Sequence, residues 1–293
     1  MKYASSLENI KFIETGLFTD RITGGIPRGK IMMISGQPSV GKSTLAFQMI
    51  EAAQKQGLKC LFADVEWAYD ARYAAVLGVD NSKLGIIQER LAEDILDALE
   101  KEIETGKWDL VVIDSMGALS SRQEVEKDSG SKIIGAQAGL VARFIRKIVP
   151  VLAIENVSLI CLTHEFIDLM TGKIMASGGM KLNYHASQHI RLKIKFGVTL
   201  KQGDKFVGKV VVAELKKDKV GGNERMEADG QLIFHCGFSK QADLVEEALR
   251  KGVLTKTGNT HFFGEEKIGA ISKLREWIKL PENEERVKSL LVN

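Results

Sequence analysis

The segment that most constrains the fold of this chain is GQPSVGKS, at residues 36–43, which matches the phosphate-binding pattern GxxxxGK[ST] at every fixed position. An apolar run precedes it at Lys30 to Ser35, and apolar residues at helical spacing follow it from Lys42 to Gln56. A glycine-rich turn between a buried strand and a helix N-terminus directs backbone N–H groups at phosphate oxygens. The sequence therefore predicts a domain that binds the phosphates of a nucleotide.

The motif also predicts roles for single side chains. Lys42 is expected to reach the β- and γ-phosphates, and the Ser43 hydroxyl is expected to ligate Mg²⁺. Asp114 ends the apolar strand LVVID, where a carboxylate can hold the water shell of the metal; the alternative is an aspartate that caps a turn. We expect ATP and Mg²⁺ as ligands, and the nucleotide contacts expected in the loop are Gly36, Gln37, Pro38, Ser39, Val40, Gly41, Lys42, Ser43 and Thr44.

Beyond the loop, strand-like and helix-like segments alternate, and several of the strands are continuously apolar. This pattern is typical of parallel strands covered by helices on both faces. A helix is predicted from about Ile134 to Glu155, kinked or divided at Pro150. The last strands are predicted at His189–Phe196 and Val207–Leu215, as a hairpin, and at Leu232–Phe238.

The fold class that we expect is α/β: a P-loop ATPase core with a mostly parallel central sheet flanked by helices, plus a small C-terminal α+β subdomain. From about Val253 the chain changes to short turns, mixed charges and a terminal amphipathic helix. The expected division is a short N-terminal extension at residues 1–12, the core at 13–252 and the subdomain at 253–293.

Composition excludes several other classes of protein. The chain has 293 residues, 44% hydrophobic and 27% charged, which argues against intrinsic disorder. No apolar run reaches the roughly 18 residues that a membrane-spanning helix needs. The N-terminus lacks a secretory signal, and the three cysteines, without a CxxC spacing, are expected to be reduced and largely buried in a cytoplasm. The net charge of +3 neither demands nor excludes a nucleic-acid partner.

Several further motifs resemble those of the RecA family of DNA recombinases. They are FADVEWAYDARY at 62–73, VIDS at 112–115, the pair Gly178-Gly179, DLV at 243–245 and KIG at 267–269. The resemblance covers nearly the whole chain from about Ile13 and implies a RecA-like core. Some positions resemble phage recombinases of the UvsX kind, for example Thr163-His164, where bacterial members carry Asn-Gln.

The resemblance implies roles for further residues around the nucleotide. Glu66 resembles the general base; from its spacing alone, the alternative is a surface acid. Asp70 and Tyr73 resemble adenine contacts. His164 resembles the residue that senses the γ-phosphate and signals to a DNA-binding loop; the alternative is a core histidine satisfied by the backbone.

A second implication concerns contacts between subunits. Lys217 and Lys219 match a lysine pair that reaches the ATP phosphates of a neighbouring subunit, as an arginine finger does, and Tyr184 is expected near the same interface.

The family holds single-stranded DNA on two loops, which correspond here to about 120–135 and 165–178. The expected DNA contacts are Arg122, Lys127, Lys132, Phe166, Met170, Lys173, Gly178 and Gly179. For the apolar members the alternative is ordinary core. From His189 to Lys219 there are nine Lys and Arg against three acids, a local net charge of +6 that is equally compatible with a solvated hairpin face.

The function implied is an ATP-dependent recombinase and DNA-dependent ATPase. It would assemble with ATP into a helical filament on single-stranded DNA, pair it with duplex DNA and exchange strands. Mediator and single-strand-binding proteins are possible partners, and the setting is a bacterial cytosol, with a gene of host or phage. The alternatives are a non-recombining accessory ATPase and a ring-forming helicase-type motor. Only about ten residues precede the expected core, too few for the usual subunit-joining arm, and this favours the accessory alternative.

Overall fold

The strands and helices of this chain alternate as the apolar pattern predicts. The computed structural model describes residues 10–122, 136–167, 174–177, 179–221 and 226–291. The strands are β1 Phe12–Ile13, β2 Ile26–Pro27, β3 Ile31–Gly36, β4 Cys60–Asp64, β5 Leu84–Ile87, β6 Leu110–Asp114, β7 Ser158–Ile167, β8 Ile174–Ala176, β9 Gln188–Gln202, β10 Lys205–Asp218, β11 Glu227–Ile233, β12 Gly237–Phe238, β13 Leu254–Thr257, β14 Thr260–Phe263 and β15 Glu266–Gly269. The helices are α1 Asp20–Thr23, α2 Lys42–Lys55, α3 Ala71–Val76, α4 Ala92–Glu104, α5 Ala136–Glu155, α6 Gly179–His185, α7 Lys240–Arg250, α8 Ile271–Trp277 and α9 Pro281–Leu291.

The central sheet has the strand order β12-β11-β10-β9-β3-β7-β6-β4-β5, and β8 pairs with β7 at its side. The strands from β9 to β5 in this order are parallel, and β9 to β12 are antiparallel. Every residue of β3, β4 and β6 is buried. These observations confirm the predicted α/β class with a mostly parallel central sheet.

Alternate side chains of the buried strands enter two separate cores. Met32, Ile34 and Phe62 pack with α2 on one face of the sheet. Ile31 and Met33 belong to the cluster with α4 and α5 on the other face. Because successive strand residues point to opposite faces, continuously apolar strands require a helical layer on each side.

The helix α5 continues through Pro150 as one element, so of the two predicted effects of that proline the division does not occur, and the kink stays a prediction. Proline removes one donor from the helical ladder and leaves the carbonyl of Arg146 without its usual partner. Both Pro150 and Arg146 are exposed, so water can satisfy that carbonyl.

The predicted single strand Leu232–Phe238 is wrong. The chain leaves β11 at Ile233, turns through His235, whose φ is 62°, and returns as the antiparallel β12. Cys236 is exposed in this turn, whereas Cys60 and Cys161 are buried as expected. The predicted hairpin of β9 and β10 is confirmed, with longer strands and a turn at Gly203, whose φ is 61°.

A third hydrophobic cluster joins α7 to the C-terminal elements. The antiparallel sheet β13-β14-β15 and the helices α8 and α9 surround it. Its buried members are Val245, Ala248, Leu254, Leu274, Ile278 and Val287. The domain boundaries given above stay a prediction. Across the described ranges, no helix is both long enough and apolar enough to cross a bilayer.

The side chain of Asp243 ties α7 to the N-terminal segment. Its Oδ2 accepts from the Phe18 N–H at 3.0 Å, and its Oδ1 lies 4.0 Å from the Arg21 guanidinium. Burial raises the pKa of Asp243 to about 7; Arg21 and the Phe18 N–H oppose this increase, and Asp20 and Glu246 add to it. The folded protein therefore binds this proton more tightly than the unfolded chain does.

We expect the stability contributed by Asp243 to be present below about pH 4 and to be lost as the pH rises to about 7. Asp243→Asn should remove this dependence and raise the free energy of unfolding at pH 8 by on the order of 2 kcal/mol. Urea denaturation of both proteins at pH 5 and pH 8 measures the difference. Equal changes with pH in the two proteins would contradict this assignment.

Candidate nucleotide-binding and hydrolysis site

The candidate site lies at the carboxyl edge of the parallel strands. Gly36 at the end of β3 pairs with His164 in β7, and Asp64 at the end of β4 pairs with Asp114 at the end of β6. A cleft of about 550 Å³ opens at this edge. Its lining residues are Pro38, Ser39, Gly41, Lys42, Ser43, Thr44, Glu66, Tyr73, Asp114, His164, Lys209, Leu232, Ile233, Phe234 and His235.

The glycines of the loop at 36–41 are required by close packing and by backbone shape. A Cβ on Gly36 would lie 2.8 Å from the Leu192 carbonyl oxygen. Gly41 has a φ of 109°, and a Cβ there would lie 3.0 Å from a Leu232 methyl carbon. Ser39 also has a positive φ, of 60°, so the loop curls and turns its N–H groups toward one centre.

Lys42 folds back over this loop from the first turn of α2. Its Nζ donates to the carbonyls of Gly36 at 3.0 Å and Gln37 at 3.1 Å. Burial lowers the pKa of Lys42, and the charges of Asp114, Glu66 and Glu165 raise it in part. The ammonium therefore lies at the centre of the loop. When nucleotide binds, phosphate oxygens would take the place of the two carbonyls as its hydrogen-bond acceptors.

Ser43 and Asp114 form a pair of oxygen ligands beside the lysine. The Ser43 hydroxyl donates to Asp114 Oδ2 at 2.6 Å. Burial raises the pKa of Asp114 to about 6, against the hydrogen bond from Ser43, which lowers it. A hydroxyl and a buried carboxylate are hard oxygen donors of the kind that Mg²⁺ uses beside nucleotide phosphates, so these residues fit that ion. No cluster of three or more His, Cys, Asp or Glu suited to a metal occurs among the described residues.

Glu66 lies beyond the end of β4 and is held at a single oxygen. Its Oε1 accepts from the Ser115 hydroxyl at 2.5 Å and lies 2.8 Å from His164 Nε2. Burial alone would raise the pKa of Glu66, but the hydrogen bonds from Ser115 and His164 and the charges of His164 and Lys42 outweigh it, so the pKa is lowered. The carboxylate is thus ionised at neutral pH and can accept a proton from water.

His164 joins three parts of the site. Its Nδ1 lies 3.3 Å from Lys42 Nζ, and its Nε2 contacts Glu66. Its backbone N–H donates to the Ser177 hydroxyl at 3.0 Å, and the Ser177 N–H donates to its carbonyl at 2.8 Å. The ring is therefore not the backbone-satisfied core histidine of the alternative. It connects the phosphate loop and Glu66 to the strands β7 and β8, which flank the second expected DNA loop.

The two expected adenine contacts have different positions. The Tyr73 hydroxyl lies 3.0 Å from the Thr44 hydroxyl, and both residues line the cleft. Asp70 is the N-cap of α3 and accepts from the N–H groups of Arg72 at 2.8 Å and Tyr73 at 3.2 Å. Its carboxylate therefore supports the helix that carries Tyr73.

One wall of the cleft was missed by sequence reasoning. It consists of Lys209 on β10 and of residues 232–235, where β11 ends and turns. The interpretation of 232–238 as one strand concealed that turn. Phe234 lines the cleft there and is 45% exposed. The positive φ of His235 carries no signal in the sequence.

Lys217 and Lys219 lie far along the sheet from the phosphate loop of their own chain. Their neighbour Asp218 pairs with Gln188, which pairs with Met32, near the start of β3, whereas the loop follows the end of β3. Lys217 donates to the carbonyls of Asn183 and Tyr184, and Lys219 donates to that of Tyr184. Tyr184 is 75% exposed. Lys219 is also exposed, and Lys217 is half-buried beside it.

Of the expected DNA contacts, Arg122 and Phe166 are exposed, and Gly179 begins α6. Arg122 pairs with Asp94 at 3.2 Å. Five of these residues lie outside the described residues: Lys127, Lys132, Met170, Lys173 and Gly178.

The basic segment 189–219 is neutralised in part by carboxylates on β7, β10 and β11. The pairs are Arg191 with Glu165, Lys193 with Glu214 and Glu227, Lys195 with Asp229, and Lys216 with Glu214. This pairing favours a solvated sheet face for much of the segment.

The chain is similar to proteins of one known family. A family model described as the RecA N-terminal domain matches residues 2–239. The protein RecA of Wolinella succinogenes is 35% identical over 275 residues, which cover 90% of this chain and 76% of that protein. The protein RecA of Sulfurimonas denitrificans is 34% identical over 290 residues, covering 96% and 81%. The protein RecA of Sulfurovum sp. is 35% identical over 250 residues, covering 84% and 71%.

Proposed function

This chain belongs to the RecA family and is a RecA-type recombinase with a DNA-dependent ATPase activity, and we propose how its cleft carries out that hydrolysis. The observation that carries the proposal is the convergence of Lys42, Ser43, Glu66, Asp114 and His164 on one cleft. A P-loop, an ionised carboxylate and a metal-type oxygen pair are the parts that phosphoryl transfer to water requires.

The triphosphate of ATP binds along the loop at 36–43. There the backbone N–H groups and the Lys42 ammonium donate to phosphate oxygens, and Lys42 gives up its contacts with the loop carbonyls. Ser43 would ligate Mg²⁺ and Asp114 would hold its water shell, and the ion would supply positive charge to offset that of the phosphate oxygens. Tyr73 and Phe234 line the cleft near the base. These contacts fix the γ-phosphate next to Glu66.

Glu66 acts as the general base. It takes a proton from the water that attacks the γ-phosphorus; the bond to the bridging oxygen breaks, and ADP and phosphate leave. The hydrogen bonds from Ser115 and His164 orient the carboxylate and keep it ionised before the reaction.

His164 couples the nucleotide to DNA. Its ring contacts Lys42 and Glu66, and its backbone is bonded to Ser177, which follows β8. A change at the γ-phosphate would move the ring and, with it, the base of the loop at 165–178. The contacts of single-stranded DNA that we propose are the residues given for the two loops in the sequence analysis.

Lys217 and Lys219 complete the site of a neighbouring subunit in a helical filament. Lys219 is exposed and Lys217 half-buried, and both lie far along the sheet from the P-loop of their own chain, which supports this role in trans. Because the site would be complete only between two subunits, ATP would favour assembly. We further propose a cytosolic setting, contacts with duplex DNA and with mediator and single-strand-binding proteins, and a relationship to phage recombinases of the UvsX kind.

Electron microscopy of the protein with ATP and single-stranded DNA tests the assembly. We expect helical filaments with ATP and DNA, and few when ADP replaces ATP. Closed rings would instead support a helicase-type motor. Particles that remain monomeric with ATP and DNA would support an accessory ATPase and contradict the filament proposal.

A further inference from the structure

Lys209 is a second lysine in the nucleotide cleft, and the phosphate-binding motif does not include it. It lies on β10, where it pairs with Thr199 on β9 and Leu232 on β11. Its Nζ donates to the Ser39 carbonyl at 2.6 Å, at the top of the phosphate loop. A side chain from a distant strand therefore holds the loop at the residue whose φ is 60°.

The charge of Lys209 has no carboxylate partner among the residues that the structure describes. Other basic side chains of the same hairpin, such as Lys193, Lys195 and Lys216, are paired with acids. Partial burial lowers the pKa of Lys209, and no acid in the described part of the chain opposes that effect. Lys42, in contrast, lies close to three carboxylates. An ammonium that is partly desolvated and bonded to a carbonyl is available to an anion.

The strand that carries Lys209 and the carboxylates near Lys42 lie on opposite sides of β3. In the sheet, β10 lies on one side of β3, whereas β6 and β4, which carry Asp114 and lead to Glu66, lie on the other. Lys42 therefore serves the side of the metal ligands and the base. Lys209 serves the opposite side, next to Phe234 and Ser39.

We propose that Lys209 leaves the Ser39 carbonyl when nucleotide enters and binds a phosphate oxygen of the same subunit's ATP. This inference rests on the proposed function of the cleft and adds to it a second phosphate-binding cation, in cis. Because the Nζ already lies against the phosphate loop, the transfer needs only a rotation of the lysine side chain.

The test is the affinity of the full chain for a non-hydrolysable ATP analogue, measured by isothermal titration calorimetry. Lys209→Gln should weaken binding about 10-fold or more, because it removes a charge-assisted hydrogen bond. Lys209→Arg should stay within about threefold of the wild type, since it keeps the charge. Lys205→Gln removes the same charge from an exposed position on the same strand and should bind like the wild type.

Two results would overturn the inference. One is wild-type affinity in Lys209→Gln. The other is an equal loss in Lys209→Gln and Lys209→Arg with a lowered melting temperature of the nucleotide-free protein, which would show that Lys209 only tethers the loop. Lys42→Ala, titrated alongside, distinguishes a failure of the proposed function from a failure of the role given to Lys209. If it also binds like the wild type, or if the wild type does not bind, the proposed function fails; if it alone loses binding, only the role of Lys209 fails.

Discussion

Replacing Glu66 with glutamine is expected to lower ATP turnover by about 100-fold to 10,000-fold while nucleotide affinity stays within about threefold of the wild type. Glutamine keeps the shape of the side chain and can still accept the hydrogen bond from Ser115. It cannot take a proton from water. The carboxylate contacts Ser115 and His164, and Lys42 is near. Since glutamine fits the same place, loss of the carboxylate charge should affect the chemical step more than nucleotide binding.

The measurement is steady-state phosphate release with single-stranded DNA, together with a nucleotide titration of the same preparations. Glu89→Gln makes the same change at an exposed position outside the cleft and should behave like the wild type. Turnover by Glu66→Gln within about threefold of the wild type would show that another group is the base.

Replacing Lys42 with alanine is expected to lower ATP turnover by about 1,000-fold or more and to weaken nucleotide binding as well. The variant loses the cation at the centre of the loop and leaves Asp114 and Glu66 near the phosphates without its charge. Both changes disfavour a ligand with several negative charges.

Lys55→Ala is the matched control, since it removes a lysine from the exposed end of the same helix. Phosphate release and nucleotide titration should give wild-type values for this control. Substantial turnover in Lys42→Ala would place the hydrolytic site elsewhere.

The sheet was largely predictable because its signals are local. Continuous apolar runs mark β3, β4 and β6, and the P-loop follows directly from the sequence at 36–43. The turn at His235 was not predictable, because residues 232–238 have the composition of a strand and the reversal depends on pairing between β11 and β12.

The chemistry of the site depends on contacts between distant residues, which spacing does not reveal. Glu66 differs from a surface acid only because the fold brings Ser115 and His164 to the same oxygen. In the sequence, Lys209 is one of several lysines in a basic segment. In the fold, Lys193 and Lys195 pair with acids on β10 or β11, whereas Lys209 contacts the phosphate loop.

The measurement that tests the central claim most directly is ATP hydrolysis by the wild type and Lys42→Ala, each with and without single-stranded DNA. We expect the wild type to hydrolyse ATP, with a rate that DNA increases severalfold or more, and Lys42→Ala to show neither the activity nor the increase. Hydrolysis that is equal in the two proteins, or that does not respond to DNA in the wild type, would contradict the account of this cleft as a DNA-dependent ATPase site.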